Sequence, residues 1–391
     1  MRVGVVGAGP AGLYFALLLK KHHPEHEVSV IEQNPAGATY GWGVVFSDRA
    51  TSYLEEADPD SYRDIAAALE SWDDQVIVEH GQPVRIDGFG FSGVSRLRLL
   101  TILQDHCQRA GVSMQFDTRL TDLTALADFD LIVAADGANS VVRQAHQQEF
   151  ATHIETLTNA YVWYGTHQLF EALSLIFHEN ADGAFVAHTY RYSPTLSTFI
   201  VECDAQTFAR AGLAQMSDPE SRAYCERVFA ADLGGNELLS NKSDWLNFRV
   251  IRNDHWSYRN IVLIGDALRS VHFSIGSGTR MALTDAIALF QAFEATGQRQ
   301  RAEDVPAALA AFEQARRPIV EEFLSVAARS YLWYEHFHEK LHLAPLPFAY
   351  DYMTRGGRVT HERLRERSPR FVAEYDAYIA DHPDERAGQS A

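Results

Sequence analysis

The chain has 391 residues, 34 basic against 52 acidic for a formal net charge of −18, and is 46% hydrophobic and 11% aromatic, the profile of a soluble globular protein. Such a surplus of carboxylates excludes nucleic acid and anionic membrane as partners, because both demand a basic face. The length exceeds the ~250 to 300 residues at which one hydrophobic core stops growing, which predicts two interleaved or consecutive domains able to bury a large ligand.

Arg2 to Val6 reads as a buried strand, Pro10 to His22 as a helix apolar nearly all round, and Glu27 to Glu32 as a second strand, a βαβ opening. Residues 96 to 110 read as a helix, 112 to 116 as a strand and Asp130 to Ala135 as a fully buried strand of the parallel type. From about 150 to 250 the texture is alternating and aromatic-rich, as at Tyr161 to Tyr164 and Ser197 to Glu202, which predicts an inserted antiparallel sheet. Asn260 to Ile264 returns to the buried-strand texture, followed by a glycine-rich turn and a helix to about Ala295. From Asp304 onward the chain reads as helical, with Pro318 expected to kink or interrupt a long segment.

The expected fold class is therefore α/β plus antiparallel β. A Rossmann-like domain would comprise residues 1–150 and 255–300, with a β-sheet substrate domain inserted at 151–254, a helical region at 301–382 and a disordered polar tail at 383–391. Met1 and Arg2 run directly into Val3 to Val6, with no signal-peptide pattern, and no stretch reaches the ~18 apolar residues of a membrane span. Cys107, Cys203 and Cys225 form no C-x-x-C pair and no zinc-like spacing. A reduced, cytoplasmic protein without a metal site is expected.

The first chemical motif is Gly7-Ala8-Gly9-Pro10-Ala11-Gly12, between strand and helix, with Glu32 20 residues beyond Gly12 at the end of the next strand. Gly7 permits the tight turn, Gly9 lets backbone approach a pyrophosphate, and Gly12 lets helix and strand pack closely. The helix N-terminus supplies N–H donors to phosphates, and the carboxylate accepts from a ribose diol. A second match, Gly88 to Gly93, reads instead as a glycine-rich bend leading a β segment into a helix, because Phe89 and Phe91 stand where a pyrophosphate should meet bare backbone. Asp136-Gly137 to Arg143 and Gly265-Asp266-Ala267 each follow a buried strand, where an aspartate can accept from ribitol or ribose hydroxyls. The backbone of Gly276-Ser277-Gly278, opening the next helix, can bind pyrophosphate or a flavin edge.

Together these segments resemble the group A flavoprotein monooxygenases of the para-hydroxybenzoate hydroxylase fold, whose three signatures are GxGxxG, DGxxSxxR and a GD motif. The resemblance implies FAD held by Gly7, Gly9, Pro10, Ala11, Gly12, Glu32, Gln33, Asp136, Gly137, Asp266, Gly276, Ser277 and Gly278. It further implies that Arg96 reaches the FAD ribose and pyrophosphate, and that Gly41 to Phe46, including Gly43 and Val44, lies along the isoalloxazine ring. The stretch His272 to Arg280, with Gly41 to Asp48, Gly90 to Arg96 and Thr354 to Thr360, is similar to the branch containing salicylyl-CoA 5-hydroxylase and the monooxygenase half of 2-aminobenzoyl-CoA monooxygenase/reductase. The bifunctional members append a reductase domain for which 391 residues leave no space, so a stand-alone hydroxylase is expected.

The chemistry this implies is reduction of FAD by NADH or NADPH, reaction with O2 to a flavin C4a-hydroperoxide, and oxygen transfer to the ring of an aryl-CoA thioester. His272 would face the arene as the catalytic residue, with Trp42 and Phe273 shaping the pocket and His188 a further candidate. Arg358 and Arg363, in a cluster with Arg355, Arg365, Arg367 and Arg370, would bind the CoA phosphates, unless they form a solvated helix face paired with Glu362 and Glu366. Arg269 replaces a histidine of the branch pattern and would shift FAD geometry or substrate identity. The alternatives are a hydroxylase of a free aromatic such as tryptophan, and a non-catalytic binding protein on a flavoprotein scaffold, against which the intact Asp136 and Asp266 stand.

Overall fold

The apolar run after Met1 forms the middle of a six-stranded sheet in the order Ser257–Tyr258, Ile261–Leu263, Leu131–Ala134, Arg2–Val6, Glu27–Ile31 and Ser113–Gln115. The structure is a computed structural model and describes residues 1–39, 41–47, 51–296 and 301–385. All pairings in the sheet are parallel except that of the edge strand Ser257–Tyr258. Val3, Val5, Val30 and Val133 are fully buried, in one core with the helix Pro10–His22. The helix Pro10–His22 buries every residue from Ala11 to Leu19, packed against the helices Arg96–Ala110 and Gly278–Thr296, so its apolar character all round follows from having no solvent face. Arg96–Ala110 begins at Ser95, whose hydroxyl accepts from the Arg98 N–H, and ends where Gly111 turns left-handed at φ 89°.

The second sheet runs Leu238–Leu239, Thr152–Thr166, Leu196–Cys203, Gly183–Ser193, Leu173–Asn180, Gln75–Glu79, Gln82–Ile86, with Leu246–Asn253 also on Thr152–Thr166. It therefore extends beyond the expected 151–254, taking a hairpin from the N-terminal half. Gln75–Glu79 pairs in parallel with Leu173–Asn180, Leu173 facing Gln75 and Ile176 facing Val78. Alternation along the strands divides two cores: Leu175, Phe177 and Val186 belong to one, and Ile176, Phe185 and Ala187 to the other. A small sheet of Gly43–Ser47, Phe91–Ser95 and Glu70–Trp72 has strands interleaved in sequence with those of the larger ones and packs on Gly183–Ser193.

The glycine-rich segment Gly88 to Gly93 is a bend entering the strand Phe91–Ser95. Gly88 has φ +71°, and a Cβ there would lie 2.1 Å from the carbonyl oxygen of Arg367. Gly88→Ala is expected to lower stability by roughly 1–3 kcal/mol through that clash and the left-handed backbone, measured as a fall in the denaturant midpoint.

Val305–Glu335 runs through Pro318 as one helix, so of the expected kink or interruption the interruption does not occur. One backbone hydrogen bond is forgone there, but Arg316 and Val320 on either side are buried and fix both halves. The helices Pro345–Thr354, His361–Arg367 and Pro369–Asp381 come next, and Phe348, Tyr352, Leu364 and Phe371 close the core over Ile77, Ile86 and Phe177. Of the expected tail, Pro383–Glu385 forms a 3-10 turn, while 386–391 lie outside the described residues. The three cysteines are free and buried. Among the described residues no helix is long and apolar enough to cross a membrane.

Candidate active site

One cavity of about 1130 Å³ is lined by residues of both large sheets. At one end lie Gly7, Gly9, Pro10 and Ala11 at the start of the first helix. Gly7 has φ +101°, and a Cβ on it would meet the Ala135 carbonyl oxygen at 2.5 Å. Gly12 does not line the cavity; its Cβ would lie 2.2 Å from the Gly7 carbonyl oxygen, so its smallness serves the turn itself. Gly9 differs: the nearest protein atom to a Cβ there is 3.8 Å away, so bare backbone faces open space. Glu32 accepts from the Ala8 N–H at 2.8 Å and from the Asn34 N–H and amide at 2.8 and 2.7 Å. A carboxylate offers about four lone-pair sites, which leaves Glu32, with Gln33 beside it in the wall, able to accept from a sugar hydroxyl.

Asp136 caps the short helix Val141–Ala145: its Oδ2 accepts from the Val141 and Val142 N–H groups at 2.7 and 3.4 Å. Its Oδ1 is buried and without a partner among the described residues, and burial pushes the carboxyl above its usual range. Gly137 beside it, at φ +77°, has no atom within 4 Å of where a Cβ would stand. Asp266 is accessible from the cavity yet deep inside the protein, so burial raises its carboxyl while the charge of Arg96 pulls it back. Arg96 opens its helix, donating its N–H to the Trp42 carbonyl at 2.9 Å. Its guanidinium is depressed by burial and countered by Asp266, and its Nε has no partner among the described residues. Gly276, Ser277 and Gly278 line the wall where a second long helix starts. Gly43 and Val44 line it too, and a Cβ on Gly276 would lie 2.8 Å from the side chain of their neighbour Val45.

Buried polar atoms without partners call for a ligand to satisfy them. An orphan carboxylate oxygen, an orphan guanidinium nitrogen and two helix N-termini suit the hydroxyls and pyrophosphate of FAD, so the residues present fit that group.

The other end of the cavity is aromatic and aliphatic: Tyr161, Phe248, Phe273, Leu175 and Ile200, with His188 among them. Phe273 lines the cavity, its ring 4.8 Å from Tyr161 and 5.1 Å from His188. His272 does not line the cavity. It caps the 3-10 turn Phe273–Ile275, its Nδ1 accepting from the Ser274 N–H at 3.2 Å. Its ring stacks on that of Phe273, centroids 4.2 Å apart, and is 4% exposed, so burial pushes its pKa down to about 4. It is a buried group that does not border the cavity. Trp42 also stays out of the cavity, packed on Gly165, where a Cβ would lie 2.6 Å from the indole; Trp163 lines the wall instead.

Arg358 and Arg363 are exposed and outside the cavity, Arg363 donating to the Arg358 carbonyl at 3.2 Å. Arg355 does line it, tied to the Ser330 hydroxyl at 3.0 Å and the Tyr352 and Ser274 carbonyls at 2.7 and 3.1 Å. Arg269 is buried away from the cavity against Asp285 at 2.8 Å. Glu202 is a residue that the sequence patterns do not single out. It lies 3.0 Å from His188 Nε2, and its only signal is a carboxylate at the end of the strand-like Ser197 to Glu202 run.

Residues 1–327 match the FAD binding domain family, and the chain belongs to that family. It is an FAD-dependent aromatic monooxygenase by class. It is 39% identical to salicyloyl-CoA 5-hydroxylase of Streptomyces sp over 98% of this chain and 74% of that protein. It is 38% identical to protodeoxyviolaceinate monooxygenase of Chromobacterium violaceum over 91% of this chain and 94% of that protein. The solved structure of 2-methyl-3-hydroxypyridine-5-carboxylic acid oxygenase shares the fold, with TM-score 0.69 at 17% identity over 93% of this chain and 95% of that one.

Proposed function

We propose that this enzyme hydroxylates the ring of an aryl-CoA thioester, using O2 and electrons from NADH or NADPH. The observation that carries the reading is the continuity of the cavity. It joins the dinucleotide-type end to an aromatic end whose wall continues through Met353, Arg355 and Val359, a segment that leads directly to the exposed Arg358 and Arg363. An arene seated among Tyr161, Phe248 and Phe273 could thus trail an acyl chain toward cationic groups suited to phosphates.

Asp136, Asp266, Arg96 and Glu32 would hold FAD, with the backbone of Gly9 and Gly276 to Gly278 along it. Bound FAD supplies the exchange of electrons between nicotinamide and O2. The chain's own part is to orient the arene and exclude water with apolar walls. The Tyr190 hydroxyl, donating to the Gly43 carbonyl at 2.8 Å, fixes the start of the strand Gly43–Ser47.

The test is NAD(P)H oxidation by the purified yellow protein with salicylyl-CoA, 2-aminobenzoyl-CoA, the free acids and tryptophan, with product mass recorded. Thioester-stimulated oxidation and gain of one oxygen support the reading. Stimulation by a free aromatic alone supports the second reading, which the similarity to protodeoxyviolaceinate monooxygenase favours. Replacing Arg358 and Arg363 together by alanine is expected to raise KM for the thioester roughly three- to tenfold, as for two exposed charge contacts, with flavin content unchanged.

A further inference from the structure

His188 lies within the strand Gly183–Ser193, paired across the sheet with Leu175 and Ile200, and all three line the cavity. An imidazole set in an aliphatic row needs partners for its nitrogens. Nε2 has one, Glu202 Oε2 at 3.0 Å, and Nδ1 has none among the described residues. Glu202 is 1% exposed, accepts from the Asn159 amide at 2.9 Å and is hydrogen-bonded to His188, with no lysine or arginine bridged to it among the described residues. Burial works to raise the Glu202 carboxyl, but the His188 hydrogen bond, with the neighbouring imidazoles and the Asn159 bond, outweighs it and holds it low. A carboxylate so placed directs Nε2–H toward itself and leaves the Nδ1 lone pair for a cavity ligand.

The other titratable groups around His188 are poor proton acceptors. His272, on the turn beside it, is held neutral with a pKa of about 4. Tyr161 and Tyr334, from the next strand but one and the long helix, are kept protonated by burial. Arg355, over the Tyr334 ring at 5.7 Å, is a cation, and Glu202 itself is walled off.

We propose that His188 is the catalytic base of the hydroxylation, its Nδ1 taking the proton of a ring hydroxyl on the bound arene. The O–H bond breaks, the Nδ1–H bond forms, and the electron pair stays on oxygen, enriching the ring toward electrophilic oxygen. The imidazolium is then paired with Glu202. The inference rests on the hydroxylase reading and narrows its substrate class to phenols.

The experiment uses the oxidised holoenzyme without reductant, the phenolate absorbance of bound salicylyl-CoA being followed against pH. In the unaltered protein the bound phenol should ionise at lower pH than the free thioester. His188→Gln should abolish that shift while retaining FAD and the flavin perturbation on binding, and should lower kcat about 100-fold or more. Glu202→Gln removes a negative charge that strengthens the base, so the ionisation midpoint should move part of the way up. An unchanged midpoint in His188→Gln overturns the proposal. A holoenzyme perturbed by salicylate but not by salicylyl-CoA overturns the thioester reading alone, and the same midpoints measured with salicylate then decide the role of His188.

Discussion

Asp266→Ala is expected to fold and to purify colourless. The Asp266 side chain accepts no hydrogen bond from the protein among the described residues and stands open to the cavity, so its loss orphans no buried donor. The variant loses an acceptor in the cavity wall and the charge that counters Arg96. An uncompensated buried guanidinium disfavours the site and the ligand together. Visible absorbance read beside far-UV circular dichroism checks this, and an FAD-replete, active variant would refute the assignment. Asp136→Ala should lose flavin too, but with a loss of stability, because Asp136 caps the helix Val141–Ala145.

The largest loss of stability is expected from Asp285→Ala, about 3–5 kcal/mol, since it leaves two buried guanidinium groups without their counter-charge. Asp285 is fully buried; its carboxylate meets Arg269 at 2.8 and 3.0 Å and Arg316 at 3.0 Å, and accepts the Gly265 N–H at 3.1 Å. Arg269→His should cost less, because Asp285 keeps Arg316. Chemical denaturation of the three proteins gives the comparison, and an Asp285→Ala midpoint equal to that of the unaltered chain would sink the account. Arg269 is thus a brace between the turn that carries Asp266 and two long helices. The departure at this position concerns how that turn is held, and not the shape of the substrate pocket that the sequence pattern implies.

Features decided within a few residues are legible in the sequence. The helix Arg96–Ala110 can be read with its observed ends because the apolar period, the Ser95 cap and Gly111 all lie in one window. The nucleotide-binding glycines are legible because each answers a steric demand a few residues away, as Gly12 does to Gly7. The hairpin Gln75 to Ile86 cannot be assigned to its sheet in this way, because the partner Leu173–Asn180 is remote in sequence and no local pattern names it. His272 misleads for the opposite reason. Adjacency to Phe273 in the chain does bring the two rings together, stacked 4.2 Å apart, but only Phe273 borders the cavity, and no local pattern tells which of two stacked neighbours will do so. Glu202 announces only a carboxylate near the end of a buried strand; its meeting with His188 needs the register of two strands.

That remote pairing has a consequence for synthesis of the chain. Gln75–Glu79 and Gln82–Ile86 leave the ribosome well before Leu173–Asn180 exists to receive them. At roughly 5–20 residues per second, the hairpin waits several seconds with an unpaired edge. Ile77 and Ile86, fully buried once the sheet is complete, are bare during that interval, and exposed edges template wrong pairing. Soluble yield should therefore respond to the speed of translation between residues 86 and 173 more than to the stability of the finished protein, and slow codons placed there would favour aggregates.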